Sequence, residues 1–131
     1  MNDLEKKIQF TVNLFKLKKY NEAQNHAEKL IVNYPRVIFL YNLLGLIYTE
    51  KKEIDLAIKT FKKGLDFDPN QAMIYNNLGT AYKLNEDYKK SELSYKKSID
   101  IDRNIPETHN NFGNFYLELN NYAKAVKCFK K

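Results

Sequence analysis

The chain has little that interrupts or staples it: among 131 residues there are four glycines, three prolines, one cysteine and no tryptophan. So few Gly and Pro leave no room for a flexible linker or a low-complexity segment, and the collagen and mucin classes go with them. The single thiol, Cys128, cannot build a disulfide framework and suits a reducing compartment. No stretch reaches the roughly 18 apolar residues that a membrane span requires. The opening Met1-Asn2-Asp3-Leu4-Glu5-Lys6-Lys7 has neither the apolar core nor the small-residue cleavage site of a secretory signal. A cytoplasmic protein with no membrane partner is expected. What is present is an ordinary soluble balance, 44% hydrophobic and 29% charged, in a length that suits one domain.

Patterns that carry chemistry are also missing. His26 and His109 are far apart, and no HExxH, paired Cys, GxSxG or phosphate-cradling Gly-rich loop occurs. No enzyme activity, no cofactor and no metal is expected. His109 reads as a ring packed between helices, and Cys128 as a small apolar residue. The net charge of +6 invites a nucleic-acid reading, but only Arg36 and Arg103 are arginines, so forked guanidinium contacts to guanine or phosphate are nearly absent. The excess is lysine, and nucleic acid is disfavoured as a partner.

Self-similarity organises what is there. Gly45, Gly79 and Gly113 stand 34 residues apart. So do Tyr48, Tyr82 and Tyr116; Leu44, Leu78 and Phe112; and Tyr41, Tyr75 and His109. Ala57, Ser91 and Ala125 share the interval with Phe61, Tyr95 and Phe129, and with Pro35 and Pro69. Within each unit the apolar and small positions recur at spacings of three and four, which places them on one face of each of two helices. The spacing predicts helices over Ile38 to Glu50, Ile54 to Phe67, Gln71 to Leu84 and Tyr88 to Ile101, with a last unit opening at Pro106. Pro35 and Pro106 fit first helical turns, and Asn21, Asp55 and Asn121 sit where a side chain can cap a second helix. The glycines give up about 1 kcal/mol of helix propensity each, tolerable only where a side chain would push the partner helix away.

These residues resemble the tetratricopeptide repeat, whose pattern is a large apolar residue, Leu-Gly, Tyr, a small residue, an aromatic, another small residue and Pro. Tyr41, Leu44-Gly45, Tyr48, Ala57, Phe61, Gly64 and Pro69 follow it in order within 38–71. The unit 72–105 matches through Tyr75, Leu78-Gly79, Tyr82, Ser91, Tyr95 and Ser98, with Arg103 in place of the closing Pro. The unit 4–37 departs further, with Lys7 and Phe10-Thr11 at the aromatic and Leu-Gly positions, while Leu14, Ala23, Ala27, Leu30 and Pro35 keep the register. The unit 106–131 carries His109, Phe112-Gly113, Tyr116, Ala125 and Phe129. The resemblance implies an all-α, right-handed superhelical solenoid of antiparallel helix pairs that serves as a protein-interaction scaffold. It also places Lys62-Lys63, Lys89-Lys90, Lys96-Lys97 and Lys124, Lys127, Lys130 on an outer, solvated face.

By the same resemblance, a peptide or protein segment is expected against the first helix of each unit. The residues concerned are Phe39, Asn42, Leu43 and Leu46, then Met73, Asn76, Asn77 and Thr80, then Asn110, Asn111 and Asn114. The first group is apolar and the later ones are amide-rich. Asn77 and Asn111, one repeat apart, could pair with successive backbone amides of an extended peptide, a partial form of an asparagine ladder, or could simply be solvated. The positions that clamp a C-terminal carboxylate in chaperone-associated repeats read Ile8, Val12, Leu43, Met73 and Asn77, of which only the amide fits, and this argues against that receptor type. The stripe Ile8, Val12, Phe39, Leu43, Leu46 and Met73 suits an amphipathic helix or an apolar peptide stretch, or else the chain's own N-terminal segment.

No polar capping helix follows the last unit, so Tyr116, Val126 and Phe129 are expected to face a further element. The chain 1–131 is therefore read as one repeat domain belonging to a longer protein. It could be a longer solenoid or the substrate-recruiting arm of an enzyme such as a glycosyltransferase or sulfotransferase. Self-association through the uncapped C-terminal repeat is the other option.

Overall fold

The computed structural model describes residues 1–129, and Lys130, expected on the outer face, lies outside the described residues. The chain runs α1 (Asp3–Lys16), α2 (Tyr20–Asn33), α3 (Ile38–Glu50), α4 (Ile54–Phe67), α5 (Ala72–Leu84), α6 (Tyr88–Ile101), α7 (Pro106–Glu118) and α8 (Tyr122–Phe129). Odd-numbered helices are the first of each pair and even-numbered ones the second, joined by short turns. The expected limits of α3, α4 and α6 are met, and α5 starts at Ala72 rather than Gln71. No helix among the described residues is long and apolar enough to cross a membrane. Contacts gather into two compact units, Met1–Pro69 and Asn70–Lys131.

In the first unit, α3 is apolar nearly all round because α1, α2 and α4 all pack on it. It buries Leu40, Tyr41, Leu43, Leu44, Ile47 and Tyr48. The second helix comes very close at Gly45, where a Cβ would stand 2.3 Å from the Phe61 ring. That is the steric reason for glycine inferred from the sequence. One period earlier the bulk is exchanged: Thr11 and Ala27, both fully buried, stand where Gly45 and Phe61 stand in the next pair.

The second unit fills its core with rings. Tyr95, Phe112, Phe115 and Tyr116 pack together with Ala125 and Cys128. Gly79 lies under Tyr95 and Gly113 under Phe129, each at 2.6 Å for an added Cβ. Small hydroxyl residues line the helix contacts: Ser91 Oγ donates to the Gly79 carbonyl at 2.6 Å, and Ser98 Oγ to the Ala72 carbonyl at 2.8 Å. Tyr116 is not at an open edge as expected. It is buried, stacks on Phe112 at 4.6 Å, and donates to Glu92 Oε2 at 2.7 Å. Burial and the neighbouring Glu92 hold its phenol well above the ordinary tyrosine value. Val126 and Phe129 are half-exposed.

His109 has the packed role expected of it. Its Nε2 lies 2.7 Å from the Arg103 carbonyl, six residues back, so that nitrogen carries the proton. Two repeats earlier in the same column, the Tyr41 hydroxyl donates to the Pro35 carbonyl at 2.6 Å, also six residues back. The column accepts Tyr or His because both put a donor at the far edge of a ring.

Helix ends correct part of the sequence reading. Pro106 occupies the first turn of α7, and Asn121 accepts from the Lys124 amide at 3.3 Å at the start of α8. Pro35 does not open a helix: it lies in the turn between α2 and α3. Asn21 and Asp55 are not caps, because α2 and α4 begin one residue earlier and follow Lys19 and Glu53, neither with a side-chain cap bond. Asp55 still suits the positive end of the helix dipole. Asp87 and Asn2 do cap, accepting from the Lys90 and Glu5 amides. The turns inside the four pairs hold Lys18, Lys52, Glu86 and Asn120 at φ of 61°, 65°, 61° and 59°.

Candidate peptide-binding face

The face singled out in the sequence is built differently in the two units. On α3, Phe39 is 50% exposed, Asn42 and Leu46 are partly covered, and Leu43 is buried. Beside it, Met1, Glu5, Ile8, Gln9 and Phe39 line a hollow of about 320 Å³. Phe39 and Ile8 of the expected apolar stripe thus reach one surface, and Met1 of the N-terminal segment borders it.

On α5 and α7, which lie side by side, Met73, Asn110 and Asn114 are exposed, while Thr80 and Asn111 are partly covered. Asn76 and Asn77 are buried, Asn76 to 2%. Their amides run inward as a short chain: Asn111 Nδ2 donates to Asn76 Oδ1 at 3.1 Å, and Asn76 Nδ2 to Asn77 Oδ1 at 3.4 Å. A buried amide with a partner at both ends stabilises the contact between α5 and α7 and holds Asn111 in place. Asn111 therefore meets Asn76 rather than standing in a simple row with Asn77.

Two further groups border this face. Thr80 Oγ1 is 2.8 Å from the Tyr95 hydroxyl, and burial pushes that phenol up to about 12 although the Thr80 bond opposes it. Lys83 donates to Glu118 across α5 and α7 at 3.1 Å, with the lysine side chain largely covered and the carboxylate open. Sequence reasoning missed this pair. Its signal was the opposite charge 35 residues apart, one position beyond a full repeat, on two first helices. The lysines expected on the outer face, Lys62, Lys63, Lys89, Lys90, Lys96, Lys97, Lys124 and Lys127, are all exposed. Lys90 and Lys124 lie over the Tyr82 and Tyr116 rings at 5.7 and 5.4 Å from the centroids.

Tandem antiparallel helix pairs, with a glycine of one helix under an aromatic ring of the next, define a helical repeat protein. Models of the tetratricopeptide repeat match residues 45–86, 72–105 and 94–127, and the chain belongs to that family. No curated protein matches it in sequence. Among solved structures it is similar to TTC0263, described as a thermophilic TPR protein of Thermus thermophilus. The TM-score is 0.89 at 21% identity, over 97% of this chain and 71% of that one. MamA from Desulfovibrio magneticus superposes with a TM-score of 0.81 at 23% identity, over 98% of this chain and 72% of that one. PilF of Pseudomonas aeruginosa gives 0.85 at 19% identity, over 97% of this chain and 58% of that one. At such identities the likeness is one of fold.

Proposed function

We propose that the chain is a non-catalytic protein-interaction scaffold that holds an extended peptide or protein segment against the first helices of its repeats. The observation that carries this reading is that Asn110 and Asn114 on α7, and Met73 on α5 against which α7 packs, are exposed. A carboxamide offers a donor and an acceptor at once, which is what the backbone of an extended segment needs. Asn76 and Asn77 support the face from beneath, and the half-exposed Phe39 gives the first unit a separate apolar anchor point.

The test is a peptide selected from a displayed library on the intact chain, then titrated against Asn110→Ala/Asn114→Ala and against Phe39→Ala. Both asparagines are exposed, so the fold is expected to survive. At least one selected peptide should bind the asparagine variant about tenfold more weakly, the scale of a truncated contact at the centre of an interface. Peptides that bind both variants as well as the parent would sink this reading.

A further inference from the structure

A cavity of about 380 Å³ opens on the α1–α2 pair, on a different face of α1 from the one that carries Ile8 and Gln9. Phe10 and Leu30 supply its apolar surface, with the His26 ring edge-on to Phe10 at 4.9 Å. Lys6, Lys7, Lys29 and Asn33 form the polar remainder. The volume falls within the roughly 300–1,000 Å³ of ordinary ligand sites.

Internal comparison shows what this space lacks. One period on, Tyr41 stands at the position of Lys7 and Phe67 at that of Asn33, and their rings stack at 5.6 Å. Leu40, at the position of Lys6, is fully buried. The first pair has thus exchanged two rings and an aliphatic side chain for two ammonium groups and an amide, and Phe10 is left half-exposed where its counterpart Leu44 is buried. A carboxylate already sits among the lysines, since Asp3 pairs with Lys7 at 3.1 Å across exposed surface. Guanidinium forks are absent from the site and the cations surround one apolar slot, which fits a short acidic segment better than a row of phosphates.

We propose that this cavity docks a protein segment carrying an aromatic side chain flanked by Asp or Glu. The ring takes the space that Tyr41 and Phe67 fill in the next pair, and the carboxylates meet Lys6, Lys7 and Lys29, one of them exchanging with Asp3. The ring supplies the apolar contact, and the charge complementarity steers the encounter and selects the partner.

The probe is a fluorescein-labelled Glu-Asp-Tyr-Asp-Glu peptide, titrated by anisotropy against the intact chain, beside the same peptide with Ala for Tyr. Two variants separate charge from shape. Lys6→Glu/Lys29→Glu reverses exposed charge, and Lys7→Tyr/Asn33→Phe rebuilds the internal stack and closes the cavity. Each variant, and the tyrosine-free peptide, is expected to weaken binding at least about tenfold, as loss of a central contact does. The closed variant should also melt at a higher temperature than the parent, which shows that it has folded. Absence of binding to the parent at millimolar peptide, equal binding of the tyrosine-free peptide, or retained binding by the closed variant would each overturn the proposal. So would displacement by a single-stranded oligonucleotide at lower concentration than by unlabelled peptide.

Discussion

The first helix pair and the two that follow divide the bulk at the contact between their helices in opposite ways. In α3–α4 and α5–α6, glycine on the first helix lies under a ring on the second, Gly45 beneath Phe61 and Gly79 beneath Tyr95. In α1–α2 the first helix carries the larger residue, Thr11, and the second has shrunk to Ala27. Thr with Ala fills less space than Gly with Phe, and α1–α2 is the pair on which the cavity of about 380 Å³ opens, so the exchange moves the bulk to the first helix without restoring all of it. A scan for Leu-Gly therefore undervalues the first pair although Thr11, Ala23 and Ala27 are fully buried in it.

The largest effect should come from breaking that exchange in α3–α4. Gly45→Thr alone drives a branched side chain into the Phe61 ring and is expected to cost about 3 kcal/mol, the upper range for overpacking. Phe61→Ala alone leaves a cavity and should cost about 3–5 kcal/mol. The double variant recreates the Thr11 and Ala27 arrangement, and urea unfolding should show a favourable coupling of about 1–3 kcal/mol. Strict additivity would mean that the two positions do not share one volume.

A middle-sized effect separates α5–α6 from α3–α4, because the ring over Gly79 has a hydroxyl and that over Gly45 has none. Tyr95→Phe keeps the ring and loses the bond with Thr80, at a cost of about 1 kcal/mol. The buried phenol adds a pH signature. Its folded value is raised from 10.0 to about 12, so the folded state holds the proton more tightly than the unfolded one. That stabilisation is complete below pH 10 and is lost as the pH rises toward 12. Thermal melts across this window should therefore fall more steeply for the parent than for Tyr95→Phe; parallel slopes would deny Tyr95 a part in it.

The smallest effect concerns helix starts. Asp87 caps α6, whereas α4 begins after Glu53 with no side-chain cap bond. Asp87→Ala should lower stability by about 1 kcal/mol, and Glu53→Ala, at a similarly half-covered position, should change it by less through capping. Equal losses in chemical denaturation would place the contribution of Asp87 elsewhere, for instance in its ion pair with Lys90.

The helix pairs were legible because the same apolar columns recur at one fixed interval, and α3, α4 and α6 end where those columns end. The site was legible only in outline. Asn76, Asn77 and Asn114 read alike as letters, yet Asn76 and Asn77 are covered where α5 meets α7 and Asn114 is open. Which amide faces outward depends on the tilt of α7 against α5, a tertiary quantity that periodicity does not carry. The cavity on α1–α2 left a trace in the sequence, Lys7 in an aromatic column. Without Asn33 paired opposite it, that substitution reads as ordinary surface charge.

The turns within the pairs store the period in another form. Lys18, Lys52, Glu86 and Asn120 are chemically unlike, yet all take the same left-handed conformation, which disfavours most L side chains by about 1–2 kcal/mol. The repeat is thus remembered as a backbone angle while the letter at that place drifts from cation to anion to amide. Shape and chemistry are inherited separately here, and each turn is free to vary its charge without altering the path of the chain.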